Sequence, residues 1–105
     1  MPMRERDYRQ SRICRLLGNP TAYRILVLLQ AGSRLQPGDI AEALEISPSL
    51  ASHTLRILRN ADLVRYLRRG EAADYWIKYP TEIRTVMGGL SRLVDRTSRR
   101  LRKDR

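Results

Sequence analysis

Residues 47–63, Ser-Pro-Ser-Leu-Ala-Ser-His-Thr-Leu-Arg-Ile-Leu-Arg-Asn-Ala-Asp-Leu, constrain the fold more than any other stretch. Ser47 is a good N-cap, and Pro48 follows at the first helical position, where its missing N–H costs nothing. Ala51, Leu55 and Leu58 recur at i, i+4 and i+7 and form an apolar stripe. Ser49, Ser52, His53 and Arg56 recur on a second face, which carries hydroxyls, an imidazole and a guanidinium but no carboxylate. Short donors beside one Arg suit a surface that enters a DNA groove and meets base edges and phosphates. An ordinary amphipathic surface helix has the same pattern, so the flanking chain has to decide.

The 105 residues fit one small domain, residues 1–105, of a size that often gains stability by oligomerising. The formal net charge of +10 points to nucleic acid or an anionic surface as partner. Most of the basic residues are Arg, whose fork suits phosphate and guanine. The charge is clustered: residues 47–70 hold Arg56, Arg59, Arg65, Arg68 and Arg69 against Asp62 alone, and both ends are basic. The stretch 16–46 is slightly acidic. Clustering argues against charge kept merely for solubility. A lone cysteine, Cys14, excludes an intramolecular disulfide. Met1 to Arg15 is too charged for a signal peptide, and no run approaches the ~20 apolar residues of a membrane span. A cytoplasmic protein with no membrane partner is expected.

In chain order, residues 3–17 read as a charged helix with Tyr8, Ile13, Leu16 and Leu17 on its apolar side, ended by Gly18. Asn19-Pro20 repeats the cap-then-proline signal, and Thr21 to Ala31 is a second helix, apolar nearly all round and therefore central. Pro37 opens a short third helix, Gly38 to Leu44, with Ile40, Ala41 and Leu44 inward; a tight Glu45-Ile46 connection then makes residues 37–60 a helix-turn-helix. The helix after the turn is the one expected in the major groove.

After Asp62 the period changes. Leu63 to Arg68 suits a strand, Arg69-Gly70-Glu71 a turn, and Ala73 to Tyr79 alternates, with Tyr75, Ile77 and Tyr79 on one side and Asp74, Trp76 and Lys78 on the other. This hairpin, residues 63–79, carries basic residues at its tip and reads as a wing that reaches phosphates or the minor groove. From Pro80, positions Ile83, Met87, Leu90, Val94, Thr97 and Leu101 form a heptad-like seam, widened by Val86 and Leu93. So wide a stripe has too few partners in so small a domain, and a second copy of the chain is the economical cover. Gly88 and Gly89 permit either close approach at that interface or a local bend. The end from Arg99 to Arg105 is expected to fray, with 102–105 as a basic tail.

The fold class is thus mainly α with a small β-hairpin (α+β), a winged helix-turn-helix in the order α-α-α-α-β-β-α. In that order the chain resembles the ArsR/SmtB family of winged-helix repressors. The resemblance runs from about Ile13 to Leu93 and is carried by three stretches. They are Leu17-Gly18-Asn19-Pro20-Thr21-Ala22-Tyr23-Arg24-Ile25-Leu26, Asp39-Ile40-Ala41-Glu42-Ala43-Leu44, and Ile46 to Leu58 followed by Ala61-Asp62-Leu63-Val64. It implies a homodimer built by the first and last helices (1–17 and 80–101) on an inverted repeat in a promoter. On that pattern Ser47, Ser49, Leu50, Ser52, His53 and Arg56 would belong to the DNA-binding helix, and Arg65, Arg68 and Arg69 to the wing. Tyr8, Ile13, Leu16, Ile83, Met87, Leu90 and Val94 would form the dimer interface. Asp62 stands where the family usually has Gly, but Asp tolerates a left-handed helix end.

Many relatives sense metals. The Cys-x-Cys pair often found before the turn is absent from Gln36-Pro37-Gly38-Asp39-Ile40-Ala41, and the last helix offers Glu82 and Asp95 but no histidine. No metal and no cofactor are expected. Cys14 reads as a small buried hydrophobe or as a redox switch pairing across a twofold axis. His53 has no partner that would make it a catalytic base, and no catalytic constellation is visible, so no enzyme activity is expected. Trp76 and the hairpin tyrosines either pack the wing or stack on single-stranded bases. A promoter-occluding repressor on double-stranded DNA leads. An architectural or interaction protein binding DNA without sequence choice is the alternative.

Overall fold

Ser47 does cap its helix: its Oγ accepts the Leu50 N–H at 3.0 Å. The computed structural model describes residues 1–103, with side chains through Ser98; the side chain of seam position Leu101 and those of the tail 102–105 fall outside that range. Five helices and one hairpin follow in the order α1 (Glu5–Leu17), α2 (Pro20–Leu29), α3 (Pro37–Leu44), α4 (Pro48–Asn60), β1 (Val64–Arg69), β2 (Ala72–Ile77) and α5 (Pro80–Lys103). Asn19 repeats the capping device on α2, its side chain accepting the Ala22 N–H at 3.1 Å. At α3 the Asp39 carboxylate reaches back to the Gln36 N–H at 3.3 Å, the return arm of a capping box.

Helix α4 ends as economically as it starts. The Leu63 N–H donates to the Leu58 carbonyl and the Asp62 N–H to that of Arg59, with Asp62 left-handed at φ 65°. This is the double-bonded C-terminal motif that usually needs glycine. The same motif closes α3, where Ile46 N–H meets the Ala41 carbonyl and Glu45 sits at φ 55°. The C-terminal ends of both helices of the helix-turn-helix are therefore set by acidic residues in a conformation few side chains adopt.

The expected apolar stripe is the core. Ala51, Leu55 and Leu58 are fully buried, against Ile25, Leu26 and Leu29 of α2, Ile40 of α3 and Val64 and Ile77 of the hairpin. Helix α2 is shorter than expected, ending at Leu29, and Val27 on it is exposed, so it is not covered all round. The strands pair antiparallel from Val64↔Ile77 to Arg69↔Ala72 around Gly70-Glu71. Gly70 alone of the two has positive φ, 61°, as a type II′ turn requires. Strand β2 stops at Ile77 rather than Tyr79: the Lys78 N–H goes to Leu63, and the Tyr79 carbonyl accepts the first helical N–H of α5, from Ile83. One further strand residue was not legible. Leu35 pairs with Tyr75 through two backbone bonds of 2.8 and 3.1 Å, pinning the loop before α3 to the wing.

Two seam residues turn inward. Ile83 and Met87 retain only 5% and 6% exposure and belong to the protomer's own core. That corrects the expectation that they lie open to a partner; on a long helix, period alone does not say which copy of the chain covers a stripe. Within the protomer nothing crowds Gly88 or Gly89, since an added Cβ would meet only the Arg92 guanidinium, at 3.6 Å or beyond. Among the described residues no helix is long and apolar enough to cross a membrane.

Leu55→Ala should cost about 2–5 kcal/mol of folding stability, whereas Ser52→Ala on the opposite face should stay within about 0.5 kcal/mol. Denaturant titration reads both; equal small effects would mean that α4 does not pack as described.

Candidate nucleic-acid interface

The side of α4 opposite the core is open. Ser49, Leu50, Ser52, His53 and Arg56 are all exposed on one helix that is fixed at both ends. Ser47 stands at its start, where its Oγ accepts the Leu50 N–H and keeps its O–H and a second lone pair for a ligand. Thr54 is turned inward at 4% exposure and donates to the Leu50 carbonyl, so it is not part of this surface. No carboxylate lies on α4, and the surface it offers is one of donors and positive charge.

The wing is tied to this helix by aromatic contacts that the sequence had not revealed. The Arg59 guanidinium sits over the Tyr66 ring at 4.7 Å, and Tyr66 stacks on Tyr75 at 5.5 Å. On the other face Arg34, outside the expected basic cluster, covers Trp76 at 4.2 Å. Each arrangement holds a cation against a ring face. Trp76 is half-buried under Arg34, and Tyr75 packs against the core, while Tyr66 and Tyr79 stay exposed, so only Tyr75 is core packing of the wing.

The wing arginines divide. Arg65 and Arg68 are exposed, and among the described residues no ion pair forms at either. Arg69 pairs with Asp74 at 2.5 Å, and the Asp74 side chain keeps only 12% exposure. The alternation of β2 places Asp74 on the side of Trp76, away from Tyr75 and Ile77. There the first turn of α3 closes over it, forming an open cavity of about 450 Å³ lined by Arg34, Gln36, Asp39, Leu67, Arg69 and Asp74. Two arginines and two aspartates cancel there, so this cavity is not a phosphate cradle.

A second ion pair joins α4 to α5. The Asp62 carboxylate accepts from Lys78 Nζ at 2.7 Å and from the Tyr79 hydroxyl at 3.2 Å. The Lys78 hydrogen bond, helped by its charge, the Tyr79 hydroxyl and Arg65, holds Asp62 below the usual carboxylate range against some desolvation. The Asp62 bond, then that of Tyr79, raises Lys78 above the usual range. The depressed carboxylate loses its contribution only as pH falls through its folded pKa, and the raised ammonium only as pH rises through its own. The pair is consequently intact between about pH 4 and pH 10.

Helix α1 has no fully buried residue. Tyr8 and Ile13 are exposed, and Leu16 is half-buried against the core. Cys14 is a free thiol, exposed in the single protomer on the same helix as Tyr8 and Ile13. On α5, Val86, Leu93 and Val94 are exposed and Leu90 is half-buried. Among the described residues no three metal-ligating side chains come together.

A family profile described as "bacterial regulatory protein, arsR family" matches residues 19–66, from the α2 cap into β1. The transcriptional repressor SdpR of Bacillus subtilis (strain 168) is 36% identical over 63 residues, 60% of this chain and 69% of that protein. The chain belongs to the ArsR family of bacterial regulatory proteins. It is a winged-helix, DNA-binding transcriptional regulator and not an enzyme. The crystal structure of Rv0081 from M. tuberculosis superposes with a TM-score of 0.80 at 25% identity, covering 94% of this chain and 99% of that one. A solution structure of the homodimeric winged helix-turn-helix DNA-binding domain of Mb0332 from Mycobacterium bovis, a possible ArsR-family regulator, shares the fold. Its TM-score is 0.73 at 22% identity, over 90% of this chain and 93% of that one. In this ArsR-family chain the profile ends inside β1, so the wing tip and the two terminal helices are read from geometry.

Arg69→Ala should lower folding stability by about 1 kcal/mol or more, because it strands the nearly buried Asp74 carboxylate; Arg68→Ala should leave stability unchanged. Thermal unfolding of the two variants decides, and equal melting temperatures would show that the Arg69–Asp74 pair contributes nothing.

Proposed function

We propose that this chain is a homodimeric repressor that covers an inverted-repeat operator and keeps polymerase from the promoter. The observation that carries the reading is the open face of α4: Ser49, Leu50, Ser52, His53 and Arg56 on a rigid helix free of carboxylates. In the dimer two such helices stand about 34 Å apart and enter successive major grooves. Arg56 and His53 read base edges, Ser49 and Ser52 position the helix, and Arg65 and Arg68 meet phosphates from the wing. Arg69 serves the wing through Asp74 as well as through DNA. The second copy is held by α1 and α5, where Tyr8, Ile13, Leu90 and Val94, with Val86 and Leu93, remain for a partner to cover. Support for this comes from the repressor role of the Bacillus relative and the homodimer of the Mycobacterium bovis neighbour. The protein works in the cytoplasm, with neither metal nor cofactor.

One observation favours the architectural reading. Arg4, Arg6, Arg9, Arg12 and Arg15 on and beside α1 are all exposed, and a basic helix away from α4 suits contact with any phosphate backbone. The ratio of operator to random-duplex affinity separates the two readings.

Arg56→Ala should weaken operator binding by about 1–3 kcal/mol and random-duplex binding far less, measured by fluorescence anisotropy; an equal loss on both would make Arg56 a phosphate contact. Arg68→Ala should reduce the slope of log affinity against log salt by about 0.9, and an unchanged slope would take the wing out of the footprint. Val94→Asp should convert the dimer to a monomer in sedimentation equilibrium. A dimer of undiminished strength would place the interface elsewhere.

A further inference from the structure

Asp62 combines two features that belong together. Its backbone is left-handed, a conformation that favours glycine, and each oxygen of its exposed carboxylate accepts one hydrogen bond, from Lys78 and from Tyr79. Its partners, Lys78 and Tyr79, are the last two residues before α5, and the Tyr79 carbonyl accepts the first N–H of that helix. The backbone bond from Lys78 to Leu63 runs beside them at 3.1 Å. One residue at the end of the reading helix thus grips the start of the helix that carries the apolar face toward the second copy.

We propose that Asp62 is a positioning residue whose hold on Lys78 and Tyr79 sets the angle between α4 and α5, and so the half-site spacing that the dimer accepts. This rests on the dimeric, inverted-repeat reading above. In a dimer joined through α5, any rotation of α4 about its junction with α5 is applied once in each protomer and changes the separation of the two reading helices. A glycine at position 62 would keep the same backbone turn at lower strain but leave the junction held by backbone bonds alone. The carboxylate adds a second, lateral fixing point. Asp62 touches no DNA in this scheme, and it removes the charge of Lys78 from competition for phosphate.

The test uses the inverted repeat enriched from a random duplex pool, together with versions lengthened or shortened by one base pair between half-sites. The wild-type protein should discriminate against both altered spacings. Asp62→Gly should lose about two- to fivefold of that discrimination, the range set by what an exposed ion pair contributes. Its melting temperature should be no lower than that of the wild type. The double variant Lys78→Met/Tyr79→Phe, which leaves the backbone at Asp62 untouched, should lose discrimination to the same extent and guards against a folding defect. Unchanged discrimination in both variants would overturn the proposal. A wild-type protein indifferent to spacing would instead overturn the dimeric operator reading on which it stands.

Discussion

Burial of Ala51, Leu55 and Leu58 determines what α4 can do. With that stripe fully excluded from solvent against α2 and α3, the side bearing Ser49, Ser52, His53 and Arg56 has no choice but to face outward. Complete burial of two leucines contributes several kcal/mol, far more than any surface pair in the molecule, so α4 cannot rotate to hide one polar face or present another. The surface offered to DNA is a by-product of core packing. Its rigidity comes from the same source, helped by the Ser47 cap at one end and the Asp62 turn at the other.

Around that fixed helix, the remaining elements differ in how they are held. The base of the wing is held in the core by Val64 and Ile77, and the rest by polar and aromatic contacts: Arg59 on Tyr66, Arg34 on Trp76, Arg69 on Asp74, and the two backbone bonds that splice Leu35 to Tyr75. Such contacts fix orientation more than they supply stability. Helix α5 is anchored by Ile83 and Met87 at its beginning and leaves Leu93 and Val94 uncovered further on. The protein accordingly has a packed centre, an oriented wing and an amphipathic helix on which Leu93 and Val94 stay exposed in the protomer.

Much of this was legible in the sequence because the signals are local. Ser47-Pro48 and Asn19-Pro20 announce helix starts through one side-chain bond each, and the stripe on α4 follows from helical period alone. Asp62 was readable as a left-handed helix end, since short acidic side chains tolerate that conformation. Glu45, in the same conformation, carried no comparable signal. What escaped depends on distance in the fold. The Leu35–Tyr75 bridge involves a single residue and has no period. The Arg69–Asp74 pair is a diagonal across the hairpin and appears only once register is known. Ile83 and Met87 share a seam with Val94, and nothing in the spacing says that the first two close the protomer while the third stays outside. The exposure of Cys14 likewise depends on how α1 lies on α2. The matching family profile, confined to residues 19–66, covers the part that local signals had already described best.

On the reading proposed above, the open face of α4 reads sequence in a dimer. Selection of bound molecules from a random double-stranded pool, at about 150 mM salt to suppress phosphate-only binding, tests it most directly. A pair of reading helices should enrich an inverted repeat with half-sites about one helical turn apart. A well-retained pool that stays flat would contradict it and leave charge alone as the basis of binding.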